Sequence, residues 1–245
     1  LFDITLMPVV GDVTYARGQE SDPQSGLWSY SDRSKEVVKP GYYATHLMRY
    51  DVDVELTTTK RVGFHKYTFN QKENTAVVFD LQNGGCWDGP TEAYINKVDE
   101  KTIEGYRYSS GWATDQRVYF VAEFSQPITS MDVIVDRGEA VANEGKGKMV
   151  YARANVDAKE PVYVKVALSP TSIENAKLNM KTELPGWDFE GTVAQADQAW
   201  EKALAKIDME TSDAKTQKIF YTALYHTMIA PSEFCDVNGD YYGAD

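Results

Sequence analysis

At Ser169-Pro170 the hydrophobic period of this chain changes from two to between three and four. Upstream, apolar and polar residues alternate, as Val52, Val54 and Leu56 do against Asp53, Glu55 and Thr57, and Gly, Asn, Asp and Pro break the runs at short intervals. Such alternation wets one face of a strand and buries the other. The patterning predicts strands at 4–10, 42–48, 52–57, 61–69, 75–81, 103–108, 117–124, 131–135, 148–154 and 162–168. With no helical segment between them, many short strands favour two packed antiparallel sheets over a βαβ plan.

After the change, Thr171-Ser-Ile-Glu174 has the form of a capping box and predicts a short helix over 173–183. Pro185-Gly186 makes a turn. Phe189, Val193, Ala196, Trp200, Ala203, Leu204 and Ile207 then recur at helical spacing, so a long second helix has one apolar face to bury. A third helix over 214–230 carries Ile219, Phe220, Ala223, Leu224 and Met228 on one side, with Ser212 or Asp213 as N-cap and Pro231 as its stop. The expected fold is mainly β: an antiparallel β-sandwich over 1–169, an α-helical linker over 170–211, and a helix and loop over 212–245 that lead into something further.

A chain of 245 residues can bury a large core. Thirty-seven acidic residues against 25 basic ones give a net charge of −12, which opposes a phosphate backbone and argues against nucleic acid as a partner. No apolar run approaches the roughly 18 residues needed to cross a bilayer, so no membrane span is expected. Cys86 and Cys235 are the only cysteines, too few for a disulfide framework. Two unlinked thiols are favoured over a long-range disulfide, and the sequence leaves the pairing open.

Asp236-Val-Asn238-Gly-Asp240 places oxygens at alternate positions as the opening of a calcium loop does, yet its Gly stands fourth rather than sixth and the position of the closing Glu lies beyond residue 245. An Asn-Gly turn is the better reading. His46, His65 and His226 lack partners at zinc-ligand spacing, so no metal ligands are assigned. Gly84-Gly85 and Gly145-Lys-Gly147 read as hairpin turns rather than phosphate loops. Sixteen Tyr and five Trp raise a sugar-stacking hypothesis. Gly85-Cys-Trp87-Asp-Gly89 and Ser110-Gly-Trp112 put aromatics in Gly-rich loops, with packing favoured over exposure for each, and Trp187 and Trp200 read as helix-packing residues. No carboxylate pair with glycosidase spacing, and no other catalytic residue, is identified in this chain.

Four ordered blocks combine into a specific pattern: Asp3-Ile-Thr-Leu-Met-Pro8, Glu36-Val-Val-Lys-Pro-Gly-Tyr-Tyr43, Val52-Asp-Val-Glu-Leu-Thr-Thr-Thr-Lys-Arg-Val-Gly-Phe-His65, and Phe220-Tyr-Thr-Ala-Leu-Tyr-His226 with Pro231 and Asp236-Val-Asn-Gly239 beyond it. Through them the chain resembles glycoside hydrolase family 92, bacterial exo-acting α-mannosidases, along nearly its whole length. The resemblance implies a sandwich of the galactose-mutarotase-like supersandwich type, a helical linker, and a C-terminal catalytic (α/α)6 barrel of the same protein as its partner. It implies calcium-dependent, inverting hydrolysis of α-mannosides, of the α-1,2 type, on mannose-containing glycans such as N-glycans, in a periplasmic or secreted setting. The catalytic acid and base and the calcium ligands would belong to the barrel beyond this chain, which is expected to be an internal fragment and inactive alone.

One substrate-binding residue carries over: the stretch that ends Tyr242-Gly243-Ala-Asp245 matches the Tyr-x-Gly-x-Asp pattern at the mouth of the mannose pocket, and the resemblance implies that Asp245 is a sugar contact. The chain departs from the family in Tyr30-Ser-Asp-Arg-Ser-Lys35, where an aromatic-Ser-His segment is usual, so a His contact is not transferred. The alternatives are a free-standing carbohydrate-binding module and a β-sandwich with no ligand.

Overall fold

The computed structural model describes residues 3–84, 87–230 and 232–243. The strands β1 (Thr5–Val10), β2 (Val37–Lys39), β3 (Tyr42–Leu47), β4 (Val52–Thr58) and β5 (Val62–Phe69) come first. They are followed by β6 (Thr75–Asp80), β7 (Gly89–Lys97), β8 (Thr102–Ser110) and β9 (Gln116–Phe124). Then come β10 (Ile128–Val135), β11 (Ala140–Ala142), β12 (Glu144–Gly147), β13 (Val150–Val156) and β14 (Val162–Ser169). The helices are α1 (Ile173–Glu183), α2 (Phe189–Leu204) and α3 (Ala214–Thr227).

All strand pairs are antiparallel and form two sheets, β1-β6-β13-β10-β11 and β12-β7-β8-β9-β14-β5-β4-β3-β2. The expected sandwich followed by a helical part is what the chain adopts. Pro8 sits in β1, an edge strand, where its missing N–H interrupts no ladder. Between the sheets, Phe79 of β6 stacks on Phe120 of β9 with ring centroids 6.0 Å apart, and Val52, Val54, Tyr67 and Phe69 fill the space beside them. Burying each large side chain contributes about 1.5–3 kcal/mol.

A second core lies on the other face of the larger sheet, so the molecule has three layers. Val62 and Phe64 of β5, Val121 of β9 and Ala167 of β14 meet Ala176, Met180, Leu184 and Phe189 from the helices. In β5 these residues have even numbers, whereas Tyr67 and Phe69, which enter the first core, have odd ones. A strand buried on both faces therefore changes which face is apolar without breaking its period. Lys165 of β14 is buried beneath the helices with Nζ 2.9 Å from Glu123, 3.3 Å from the Leu184 carbonyl and 4.2 Å from the Trp187 ring centroid.

Several expectations are corrected. Gly145-Lys-Gly147 is not a turn but most of β12, paired with β7 at the end of the larger sheet. A Cβ on Gly145 would lie 2.5 Å from Val133 Cγ1, and one on Gly147 2.4 Å from Val135 Cγ1, so the glycines let this strand press onto β10. β7 itself was not expected; Gly89 and Pro90 disguise its start, and Pro90 stands at a register shift. The N-cap of α1 is Ser172, whose side chain accepts from the Asn175 N–H, rather than Thr171. Asp213 caps α3, which ends at Thr227 rather than residue 230. Four residues after Thr227 stands Pro231, which has no N–H to offer its carbonyl.

Candidate functional site

The strongest cluster of chemistry lies at the end of the larger sheet where β7, β8 and β9 begin or finish. Arg107 of β8 points between the sheets and is fully buried. Its Nε donates to the Leu81 carbonyl at 2.9 Å, and its Nη1 donates to Asp3 at 2.7 Å and to Asp88 at 2.8 Å. Gln116 donates to the other Asp3 oxygen at 3.0 Å. One guanidinium thus ties the chain before β1, the loop before β7 and the end of β6, and Asp3 extends the tie to β9. Partial burial works against charge on Asp88, but the hydrogen bond and charge of Arg107 prevail and hold its carboxyl below the usual range. Arg107 Nη2 is a buried donor with no hydrogen-bond partner among the described residues.

Glycines bring the loops together over this network. A Cβ on Gly111 would lie 2.7 Å from Asp88 Cα, where backbone cannot yield, and one on Gly84 would lie 2.6 Å from Asp88 Oδ1 and would push the carboxylate from its place. The adjoining tryptophans are pushed outward: Trp87 is 71% exposed and Trp112 91%. Packing was expected for both, and both are instead on the surface. An open cleft of about 280 Å³ beside Asp88 is lined by Arg17, Asn83, Gly84 and Lys148 among others.

The C-terminal segment reaches the same rim. The Tyr242 hydroxyl donates to Asp115 at 3.0 Å, and the Arg117 guanidinium lies 5.1 Å from the Tyr242 ring centroid and 5.2 Å from that of Tyr108. Hydrogen bonds from Arg117 first, and from Tyr242 next, hold the Asp115 carboxyl below its ordinary range. Asp245, the residue assigned to sugar contact, lies outside the described residues, three positions beyond Tyr242. Exposed indole rings beside anchored polar groups suit a polyhydroxylated ligand, whose apolar faces stack and whose hydroxyls hydrogen-bond. Asp88 and Asp115 are both engaged by guanidinium groups that favour their ions, which makes them poor proton donors.

The Asp236–Asp240 stretch is a turn closed by Gly239 N–H to the Asp236 carbonyl at 2.9 Å, with Gly239 at φ +90°. Asp236 is buried, and both its carboxylate oxygens accept side-chain hydrogen bonds. Oxygens already facing donors do not suit a calcium ion, so these residues do not fit one. Among the described residues no three His, Cys, Asp or Glu come together in a group that could hold a metal. Cys235 is a free thiol whose carbonyl accepts from Arg61 Nε at 2.6 Å, and Cys86 lies outside the described residues.

The histidines take other roles. His46 Nδ1 lies 2.7 Å from Asp53, and His226 is exposed on α3. His65 shares a 2.6 Å hydrogen bond with the Tyr67 hydroxyl between the sheets, and desolvation pushes its pKa down to about 4. A group whose folded pKa is depressed from 6.5 to about 4 contributes stability that is intact above 6.5 and is lost as pH falls through 4. The loss is at most about 3 kcal/mol, reduced by the part of His65 that meets solvent. Urea unfolding at pH 7 and pH 4 should show a smaller acid loss in His65→Gln than in wild type; equal losses would contradict this.

Sequence reasoning missed Arg107, and it singled out Asp236 only as part of a turn, without its buried partners. For Arg107 a signal existed: it shares strand parity with Ile103 and Gly105, which both face the core. Trp200 does pack, against Tyr225 with ring centroids 4.8 Å apart. Trp187 caps Lys165 and remains partly exposed.

A family model described as the glycosyl hydrolase family 92 N-terminal domain matches residues 1–169, and one described as that family's catalytic domain matches residues 175–245. Among solved structures, a family GH92 α-mannosidase from Bacteroides thetaiotaomicron is 32% identical with a TM-score of 0.94, over 99% of this chain and 34% of its own. A second protein from that organism, described as an inverting mannosidase of the family, is 22% identical with a TM-score of 0.81 and shares the fold over 98% of this chain and 32% of its own. A curated relative from Arthroderma benhamiae, described as an uncharacterized secreted glycosidase, is 24% identical over 90% of this chain and 32% of its own length. The chain spans about a third of the length of these relatives.

Proposed function

The chain belongs to glycoside hydrolase family 92, and on that premise we propose that it is the N-terminal part of an exo-acting, inverting α-mannosidase of the α-1,2 type that acts on mannose-containing glycans. The observation that carries this reading is the 32% identity to an α-mannosidase over 99% of the chain. The sandwich would wall one side of the glycan site, with Trp87 and Trp112 stacking on pyranose faces and the Arg107 network keeping their loops rigid. Asp245 would accept hydrogen bonds from sugar hydroxyls.

Inversion calls for one carboxylic acid that protonates the leaving oxygen and one carboxylate that activates water, roughly 6.5–9.5 Å apart. We assign both to catalytic-domain residues beyond this chain, together with the ligands of a calcium ion, which would supply Lewis-acid polarisation of bound oxygens. A periplasmic or secreted setting is supported by the fungal relative described as secreted; no helix among the described residues is long and apolar enough to cross a membrane. The exposed Trp87 and Trp112 also favour a second reading, a free-standing carbohydrate-binding module.

The test compares the complete protein with the 245-residue chain. The complete protein should release the aglycone from an aryl α-mannoside and lose that activity in EDTA, while the chain alone should release none. Turnover by the chain alone would sink the assignment of the acid and base. Glycan binding by the isolated chain, with an inert complete protein, would favour the module.

A further inference from the structure

Asp236 is the most completely engaged buried carboxylate in the segment that follows α3, and its partners come from far upstream. It is 1% exposed. Its Oδ2 accepts from Ser169 at 2.8 Å, Thr171 at 2.5 Å and Asn175 at 3.1 Å, and its Oδ1 accepts from Asn179 at 2.6 Å. These donors stand at the end of β14, in the link between β14 and α1, and on the first two turns of α1, where the helix dipole also favours a negative charge. Asn179 is fully buried and completes the seat. Its amide also donates to the Leu168 carbonyl at 2.9 Å, and its oxygen accepts the Val237 N–H at 2.9 Å.

The rest of the segment holds on at the surface. α3 has no buried residue and leans on α2 through Tyr225 and Trp200. Arg61 donates to the Cys235 carbonyl at 2.6 Å, and both Arg61 and Lys60 reach Glu233, whose carboxylate is 55% exposed, so solvent weakens those two ion pairs. Asp236 is therefore the deep anchor between α3 and the rim, and six residues later Tyr242 lands on Asp115 and Arg117.

We propose that Asp236 is a positioning residue that registers the segment carrying Tyr242 against Asp115 and Arg117 beside the loop of Trp112, and so sets one wall of the glycan site. The proposal rests on the mannosidase reading above. It predicts that loosening the anchor raises KM more than it lowers kcat, because the anchor holds a binding wall and not the reacting groups.

Asp236→Asn in the complete protein tests it, because either orientation of the amide points its NH2 at a donor. KM for an aryl α-mannoside should rise at least tenfold with kcat changed less than threefold. Hydrogen exchange at the Val237 and Gly239 amides should quicken at least tenfold. Exchange within twofold of wild type overturns the proposal, and so does faster exchange with unchanged KM in an active enzyme. If the complete wild-type protein has no mannosidase activity, the functional reading fails and exchange alone decides the anchor. Should Asp236→Asn not fold, Thr171→Val removes one of the four donors. It should shift KM and exchange about threefold in the same direction, and no shift in either would overturn the proposal.

Discussion

Replacing Arg107 with leucine should destabilise the chain by about 3–5 kcal/mol, the cost of leaving buried charges without their partner. Asp88 keeps only 12% of its side-chain surface and Asp3 5%, so water cannot take over the role of the guanidinium. The Leu81 carbonyl loses its Arg107 bond as well. For a chain of this size such a loss lowers Tm by roughly 10 °C or more. Two controls identify the cause. Arg107→Lys keeps the charge but offers a single point donor in place of the fork, so it should retain part of the stability and not all of it. In wild type Arg107 holds the Asp88 carboxyl below its usual range, so the part of the deficit that comes from losing that partner should be full above the unfolded pKa and should shrink as pH falls through the folded one. A loss below about 1 kcal/mol, or a deficit that does not shrink on acidification, would show that the network is not what holds the three loops together.

The legible parts of this fold are those in which a short stretch of chain decides its own structure. Val52 to Thr57 alternates and becomes β4, and 173–183 has helical spacing and becomes α1. Asp213 caps its helix with its own neighbours, Lys215 and Thr216, as N-cap chemistry requires. β12 was illegible because its glycines answer to Val133 and Val135 on the other sheet, which no local pattern reveals. Trp87 and Trp112 were placed inside on the general tendency of aromatics to be buried. They lie outside, 71% and 91% exposed, in loops packed at Gly84 and Gly111 against Asp88, a contact that no local pattern reveals.

The site divides in the same way. The Asn-Gly turn could be read from four residues, but the seat of Asp236 needed Ser169, Thr171, Asn175 and Asn179, which are 57 to 67 positions away. Thr171 shows how a local rule is overridden. It has the sequence context of an N-cap, yet its hydroxyl serves Asp236 and Ser172 takes the cap. A long-range carboxylate thus displaced a local capping box.

In the complete protein, Asp245→Ala should lower kcat/KM on an aryl α-mannoside by about 100-fold or more. Tyr242 is fixed to the rim by Asp115 and Arg117. Three residues of chain span at most about 10 Å, and the sugar contact proposed for Asp245 requires its carboxylate to meet the glycan within that reach of Tyr242. A carboxylate there can accept from two neighbouring hydroxyls of one sugar, and each charge-assisted hydrogen bond is worth about 1.5–3 kcal/mol. Two such bonds give about 3 kcal/mol or more, which is two powers of ten at about 1.4 kcal/mol each. Asp245→Asn retains an acceptor but not the charge, so its loss should be smaller, about tenfold. If sugar contact is the role, the loss appears chiefly in KM when the bonds are equally strong in the ground and transition states, and in kcat when they strengthen as the ring distorts. A thermal melt run alongside separates loss of contact from loss of fold, and wild-type kinetics in Asp245→Ala would remove this residue from the glycan site.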